Sequence, residues 1–247
     1  MLVLVRAIPL FVLLAALYGC SGNQKSEPVR AQQAPPPAAA PAPAQTPTTT
    51  SSAPDSRKVL AVFGDSISAG FGLEPGQSFP DDLQKKLDMQ GYPWRVVNLG
   101  ISGDTTEGGV SRMDSATRLM PAIVLLELGG NDGLRGLPLD STRMNLDLMI
   151  QTFEHTGAKV VLAGMTLPPN YGTAFIHNFE GVYKDLASHY HLPFIPFLMS
   201  DMVTQDLRYF QPDHIHPTAQ GAEIVSGTVF RTLKPLLGAT AAKAHAE

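Results

Sequence analysis

The protein has 247 residues, with 18 basic and 22 acidic side chains and a formal net charge of −4. No basic block or basic helical face is present, so the charge pattern gives no support for nucleic-acid binding. Cys20 is the only cysteine, which excludes an intrachain disulfide and a cysteine-based zinc site.

The first twenty residues have the pattern of an export signal. Arg6 precedes an apolar run over Ala7–Gly19, which is too short to span a bilayer because a spanning helix needs about 20 apolar residues. The stretch Leu17–Cys20 resembles a lipoprotein signal, in which the cysteine is acylated and becomes the mature N-terminus. An ordinary secretory signal cut nearby is the alternative. Both predict an exported, periplasmic protein, and the first adds an anchor in the outer membrane.

A change in composition separates this signal from the rest of the chain. Residues 21–57 are rich in Pro, Ala and Thr and cannot bury enough apolar surface to offset the entropy of ordering. We therefore predict a disordered tether there and a disordered tail over 239–247. Residues 58–238 are left for one folded domain.

From Lys58 onward, short apolar runs alternate with amphipathic stretches. The predicted strands are 58–63, 95–99, 122–128, 159–165 and 193–197. The predicted helices are 79–89, 105–120, 141–155, 175–190 and 219–233. Strands that are apolar throughout and separated by helices predict a parallel sheet covered on both faces. In such sheets ligands bind beyond the carboxyl ends of the strands.

Polar loops follow the first three strands, and another precedes the last helix. They are Gly64–Ser68 (GDSIS), Gly100–Asp104 (GISGD), Gly129–Asp132 (GGND) and Asp213–Pro217 (DHIHP). Taken singly, each also fits a turn or a helix cap. His214 and His216 could suggest a metal site, but no third ligand accompanies them.

Taken together and in this order, the four loops resemble those of the SGNH/GDSL hydrolase superfamily. The resemblance covers Val59–Leu236 and implies a three-layer α/β/α sandwich with a five-stranded parallel sheet, of the flavodoxin-like kind. It implies that Ser66 is the nucleophile, His216 the base and Asp213 the group that orients His216. It also implies an oxyanion hole formed by the N–H groups of Ser66 and Gly103 and the amide of Asn131, with no metal or cofactor.

Other assignments of the acid remain open from the residues alone. Asp65, Asp104 and Asp132 lie in the same loops, although each is more simply a group that bonds nearby backbone. The chain order Ser, Asp, His also occurs in α/β-hydrolases, but their Gly-x-Ser-x-Gly elbow is absent around Ser66.

The segment Leu167–Gly172 (LPPNYG) follows the fourth strand. With the second and third loops, it resembles the periplasmic branch that acts as acyl-CoA thioesterase, lysophospholipase and arylesterase. We predict a monomeric enzyme that cleaves acyl esters, thioesters or lysophospholipids, with an acyl groove walled by Leu167, Asn170, Tyr171 and Gly172. For the loop, a plain strand-to-helix connection is the alternative. For the protein, the alternatives are a carbohydrate O-deacetylase or O-acetyltransferase and a catalytically silent envelope-binding module.

Overall fold

The computed structural model describes residues 55–203 and 207–239 of the chain. At the centre lies a sheet of five parallel strands in the order β2-β1-β3-β4-β5. The strands are β1 (Lys58–Gly64), β2 (Trp94–Asn98), β3 (Ile123–Glu127), β4 (Lys159–Ala163) and β5 (Phe194–Ile195). Nearly every residue of β1, β3 and β4 is buried, which is why these strands are apolar throughout instead of alternating.

Helices connect the strands. They are α1 (Ser66–Ala69), α2 (Phe79–Met89), α3 (Thr106–Ser111), α4 (Met113–Thr117), α5 (Gly130–Leu134), α6 (Leu139–His155), α7 (Thr173–His189), α8 (Ser200–Val203) and α9 (Ala219–Leu233). Single 3₁₀ turns lie at Pro169–Tyr171, Leu207–Tyr209 and Lys234–Leu236. None of the helices in the described ranges is long and apolar enough to cross a membrane.

The path of the chain distributes the helices over both faces of the sheet. It moves from β1 to β2 in one direction and from β2 through β3 and β4 to β5 in the other. Because parallel crossovers are right-handed in about 98% of cases, this reversal puts α2 on one face and α3, α6 and α7 on the other. The packing agrees, since α2 contacts α9 while α6 contacts α3 and α7. The predicted three-layer sandwich is confirmed.

The spacing of apolar residues in α2 predicted its buried side correctly. Phe79, Leu83 and Leu87 are all buried. Ser78 and Asp81 form a capping box at the start of the helix. Pro80 lies in the first turn, where a backbone N–H would have no acceptor within the helix, so proline is tolerated.

The single helix predicted over 105–120 is wrong, because the structure has two helices with a break at Arg112. This residue has a φ of −119° and lies outside both helices. Its guanidinium donates to the carbonyl oxygens of Leu99 (2.8 Å) and Gly64 (2.9 Å) and pairs with Asp104 (2.6 Å). The break therefore coincides with a side chain that ties together the ends of β1 and β2.

The other predicted elements differ from expectation mainly at their ends, whereas the short helices α1, α5 and α8 were not predicted. β5 covers two residues instead of 193–197, since Pro193 and Pro196 flank it and proline has no N–H to donate to a neighbouring strand. The helices α6 and α7 begin two residues earlier than predicted. The signal predicted over 1–20, with Cys20, most of the tether over 21–57 and nearly all of the tail over 239–247 lie outside the described residues.

Candidate active site

Ser66 lies at the turn where β1 passes into α1. β1 ends at Gly64, and Asp65 caps the helix by accepting a hydrogen bond from the N–H of Ile67 (3.1 Å). A Cβ at Gly64 would collide with the carboxylate of Glu127 and the hydroxyl of Ser68, so no larger residue fits there. The tight turn leaves the Ser66 side chain at the carboxyl edge of the sheet, in a cavity.

Ser66, His216 and Asp213 form a continuous chain of hydrogen bonds. Ser66 Oγ lies 2.8 Å from Nε2 of His216, and Nδ1 of the same ring lies 2.6 Å from Oδ2 of Asp213. A carboxylate only accepts hydrogen bonds, so Nδ1 must carry a proton, and in the neutral ring this leaves Nε2 free to accept the Ser66 proton. The arrangement can generate a nucleophilic serine.

Asp213 is held in its ionised form. Partial burial raises its pKa, but the side chain of His216 and the backbone N–H groups of His216 (3.0 Å) and Ile215 (2.9 Å) all donate to the carboxylate. These hydrogen bonds outweigh burial and lower the pKa of Asp213 to about 2. At neutral pH the carboxylate can therefore stabilise a positive charge on the ring of His216.

The loop that carries Asp213 and His216 is closed by backbone and side-chain contacts. Gln211 donates its backbone N–H to the carbonyl oxygen of His216 (2.7 Å), and Phe210 pairs with Pro217 as an isolated antiparallel bridge. The Gln211 amide also donates to the carbonyl oxygen of Phe71 (2.7 Å), which follows α1. The loop is thereby joined to the segment that carries Ser66.

The three predicted oxyanion donors all line the same cavity as Ser66. Among the described residues, no acceptor is found for the backbone N–H of Ser66 or Gly103. The amide of Asn131 donates to Oδ2 of Asp65 (3.1 Å), and this leaves its second N–H for another acceptor. Gly103 has a φ of +80°, a backbone conformation that favours glycine. Crowding does not require glycine there, because a Cβ would meet only Arg135, at 3.7 Å.

The cavity at Ser66 has a volume of about 890 Å³. Its wall is mainly apolar and comes from the segments that follow β4 and β5 and from the C-terminal loop. The apolar side chains include Leu134, Met165, Leu167, Phe197, Met199, Val203, Leu207, Phe210 and Ile215. A cavity of this size, with a few polar groups at one end, suits an extended apolar ligand with one reactive polar group.

The predicted substrate loop contributes to the cavity only at its start. Leu167, Pro168 and Pro169 line it, whereas Asn170, Tyr171 and Gly172 lie outside its wall. Tyr171 instead donates its hydroxyl to the carbonyl oxygen of Leu134 (2.8 Å). Tyr171 therefore bonds the backbone of the wall residue Leu134 without lining the cavity itself. In this segment the wall is formed by Leu167 and the two prolines.

The other aspartates in the loops have partners away from His216. Asp65 accepts from Ile67 and Asn131, Asp104 pairs with Arg112, and Asp132 accepts from the N–H (2.9 Å) and hydroxyl (2.5 Å) of Thr106. His214 lines the cavity mouth with a φ of +56°. Within the described residues, no cluster of three or more His, Cys, Asp or Glu could hold a metal ion.

Phe71 and the residues after β5 were not found from the sequence. The Phe71 ring lies 4.6 Å from that of His216, centroid to centroid, and is 50% exposed at the cavity mouth. Phe197 and Met199 follow β5 directly. The rule that ligands bind beyond the carboxyl ends of strands points to them, but single apolar residues carry no motif.

The fold and this geometry define the class as an α/β serine hydrolase, and comparison with known proteins agrees. The GDSL-like Lipase/Acylhydrolase family matches residues 62–224. The chain is 43% identical over 181 residues to Esterase TesA of Pseudomonas aeruginosa, covering 73% of this chain and 90% of that protein. It is 33% identical over 179 residues to Thioesterase 1/protease 1/lysophospholipase L1 of Escherichia coli, covering 72% and 84% respectively.

A solved structure shows that the similarity extends to the fold. The crystal structure of TesA matches with a TM-score of 0.70 at 43% identity, covering 73% of this chain and all of that one. The chain belongs to the GDSL-like lipase/acylhydrolase family, also called SGNH hydrolases. It is a serine hydrolase that acts on ester or thioester bonds.

Proposed function

We propose that Ser66, His216 and Asp213 form the catalytic triad of this enzyme and that it removes medium or long acyl chains from esters, thioesters or lysophospholipids. The observation that carries the first part is the continuous hydrogen-bonded chain Ser66–His216–Asp213 at one end of an apolar cavity. The Nε2–Oγ distance of 2.8 Å matches the requirement that the base lie within about 2.6–3.2 Å, heavy atom to heavy atom, of the group that it deprotonates.

The reaction has two halves. Ser66 Oγ attacks the acyl carbonyl carbon while its proton passes to Nε2 of His216. The tetrahedral intermediate collapses, the bond to the alcohol or thiol breaks, and His216 returns the proton to that leaving group. His216 then takes a proton from water, the hydroxide attacks the acyl-serine, and the free acid leaves as Ser66 regains its proton.

The oxyanion forms at each tetrahedral stage. In our proposal it accepts hydrogen bonds from the N–H groups of Ser66 and Gly103 and from the second N–H of Asn131. Each preorganised donor is worth about 2.7–4 kcal/mol in the transition state, because it faces the charge only where that charge develops. The positive φ of Gly103 and the bond from Asn131 to Asp65 support this assignment, since both fix the donors in advance.

The cavity supports a substrate with a hydrocarbon chain. Leu167, Met165, Phe197, Met199 and Phe210 offer apolar surface to an acyl group bound at Ser66. Burying a methylene there is worth up to about 0.8 kcal/mol, which is about 4-fold in kcat/KM. The names of the relatives, an esterase, an arylesterase and a thioesterase/lysophospholipase, fit such substrates.

A chain-length series tests the acyl site. We expect kcat/KM on p-nitrophenyl esters to rise from acetate to octanoate, because each added methylene enters the cavity. Leu167→Ala removes a wall side chain and should lower kcat/KM on octanoate by about 10-fold, with a much smaller effect on acetate. Asn170→Ala is the matched control, since Asn170 is exposed in the same segment but outside the wall.

Two results would contradict the acyl site. One is a flat profile from acetate to octanoate in the wild type. The other is equal loss on acetate and octanoate in Leu167→Ala. Activity confined to acetyl esters, and above all to acetylated glycans, would favour the carbohydrate O-deacetylase instead.

We propose further that the enzyme is exported and is held at the cell envelope as a monomer by a lipid on Cys20. The sequence supports this placement through the apolar run that ends at the only cysteine. The Pro-, Ala- and Thr-rich residues 21–57 have the composition of a tether that would hold the catalytic domain away from the membrane.

A further inference from the structure

Glu127 is a buried acid that the mechanism above does not use. It is the last residue of the central strand β3, beside Gly64 of β1, and none of its surface is exposed. Its Oε2 accepts hydrogen bonds from the hydroxyl of Ser68 (2.5 Å) and the backbone N–H of Asp65 (3.2 Å). Its Oε1 is also buried, and no donor of the described residues reaches it. Burying a carboxyl group costs free energy of folding, so we expect Glu127 to have a role that offsets this cost.

A second buried acid, Asp65, lies beside Glu127. Asp65 is 2% exposed, and because its backbone N–H donates to Oε2 of Glu127 (3.2 Å), the two carboxyl groups lie close enough for each to affect the pKa of the other. Among the described residues, neither carboxyl group has a Lys or Arg within ion-pair distance. Two carboxylates in contact without a cation repel each other strongly, so one of them must keep its proton.

The hydrogen bonds indicate which acid is protonated. Asp65 accepts from the N–H of Ile67 and the amide of Asn131, one at each oxygen, and both bonds favour its charged form. Glu127 is more deeply buried and has an oxygen that receives no hydrogen bond. Burial and the neighbouring Asp65 carboxylate raise the pKa of Glu127 well above its ordinary value.

We propose that Glu127 is a positioning residue for the oxyanion hole, donating a hydrogen bond to Asp65, which in turn holds the amide of Asn131. This inference rests on the proposed role of Asn131. Asp65 can only accept hydrogen bonds, so Asn131 must turn its NH₂ group and not its oxygen toward Asp65. The second N–H of Asn131 is then fixed in the cavity that contains Ser66. Glu127 thus sets the direction of a donor that it does not touch.

Two substitutions at Glu127 separate this role from simple packing. Glu127→Met keeps a similar shape but removes every hydrogen bond of the side chain. We expect it to lower kcat by about 10- to 100-fold with little change in KM, since supporting hydrogen bonds have effects of that size. Glu127→Gln keeps an acceptor for Ser68 and the Asp65 N–H and supplies an NH₂ donor for the Asp65 carboxylate. Gln should therefore recover most of the lost kcat.

A double-mutant cycle tests the route through Asn131. Asn131→Ala alone should lower kcat by about 10²–10³-fold, as loss of one oxyanion donor does. In that background Glu127→Met should have much less effect than in the wild type, because the group it positions is already gone. The measurement is kcat and KM on p-nitrophenyl butyrate for the four proteins, with Tm alongside. Leu233→Ala, a buried change in α9, is the control for lost stability without lost kcat.

Each outcome decides between the roles. A Glu127→Met enzyme with lower Tm but wild-type kcat would make the residue purely structural. An equally large loss of kcat in the Asn131→Ala background would show that Glu127 does not act through Asn131. If Glu127→Met does not fold, failure of Glu127→Gln to retain kcat overturns the proposed donor. Full activity of Ser66→Ala, measured in parallel, would instead overturn the proposed function itself.

Discussion

Asp213 determines which nitrogen of His216 faces Ser66. Its carboxylate accepts from Nδ1, and its other oxygen is fixed by the N–H groups of Ile215 and His216. The four-residue segment from Asp213 to His216 therefore contains the proposed acid, the proposed base and the hydrogen bonds that orient the acid. This explains why the acid and the base of the proposed triad are three residues apart in the sequence.

Replacing Asp213 with Asn tests this orientation. Asn can present its NH₂ group to Nδ1, which favours the ring tautomer that has a proton on Nε2 and cannot accept one from Ser66. We expect Asp213→Asn to lower kcat by about 10⁴-fold, as loss of the triad carboxylate does elsewhere. Steady-state kinetics on p-nitrophenyl butyrate measures it. A loss below 10-fold would show that another group orients His216.

The same substitution has an expected effect on stability that depends on pH. The pKa of Asp213 is lowered from 3.8 to about 2, so its ionised form stabilises the fold. That contribution is present above about pH 4 and is lost as the pH falls toward 2. The Tm difference between the wild type and Asp213→Asn should therefore shrink over this range, and it should be modest because the side chain is 38% exposed.

The residues of the site differ in how far a sequence reveals them. Family resemblance implied roles for Ser66, Asp213 and His216, because each belongs to a short polar motif beside a strand or a helix start. Glu127 lies inside the apolar run of a strand, and only burial and contacts distinguish it from its neighbours. Phe71 is a single aromatic residue in a loop, so its position over His216 depends on how two distant segments meet.

At the scale of elements, the pattern of apolar residues predicted the positions of the strands well and those of the shorter helices poorly. β1, β3 and β4 are continuous apolar runs, and their buried position follows directly from that pattern. The helices α1, α5 and α8 have only four or five residues and no hydrophobic period. Such short helices depend on caps and on contacts with the rest of the fold, which a periodic pattern does not record.

The break between α3 and α4 has a similar cause. The stretch 105–120 has apolar residues that suit one helix, but Arg112 is used for contacts with Asp104, Leu99 and Gly64. An arginine that binds two carbonyl oxygens and a carboxylate requires partners that are distant in sequence. No local pattern predicts such a set.

At the scale of the whole molecule, the order of the strands brings the polar loops together. β1 and β3 are adjacent at the centre of the sheet, so the loops that carry Ser66 and Asn131 leave it side by side. The apolar runs predicted five strands in a parallel sheet, and family resemblance implied the same number. Pairing partners and register come from the structure, because composition does not specify them.

Attachment to the envelope is tested on the full-length protein. If Cys20 carries a lipid, the wild type should sediment with membranes and incorporate labelled palmitate, because acyl chains partition into a bilayer. Cys20→Ala should be neither labelled nor retained in the membrane fraction, while its catalytic domain is unchanged. Wild-type protein found entirely in the soluble periplasmic fraction would indicate an ordinary secretory signal.

The central claim is that Ser66 forms a covalent bond to the acyl group. We expect a fluorophosphonate probe to add one equivalent to the intact protein, detected by mass spectrometry, and peptide mapping to locate the adduct at Ser66. Ser66→Ala, with a Tm like that of the wild type, should show no adduct and no ester hydrolysis. Labelling at another serine, or full hydrolysis by Ser66→Ala, would contradict the mechanism.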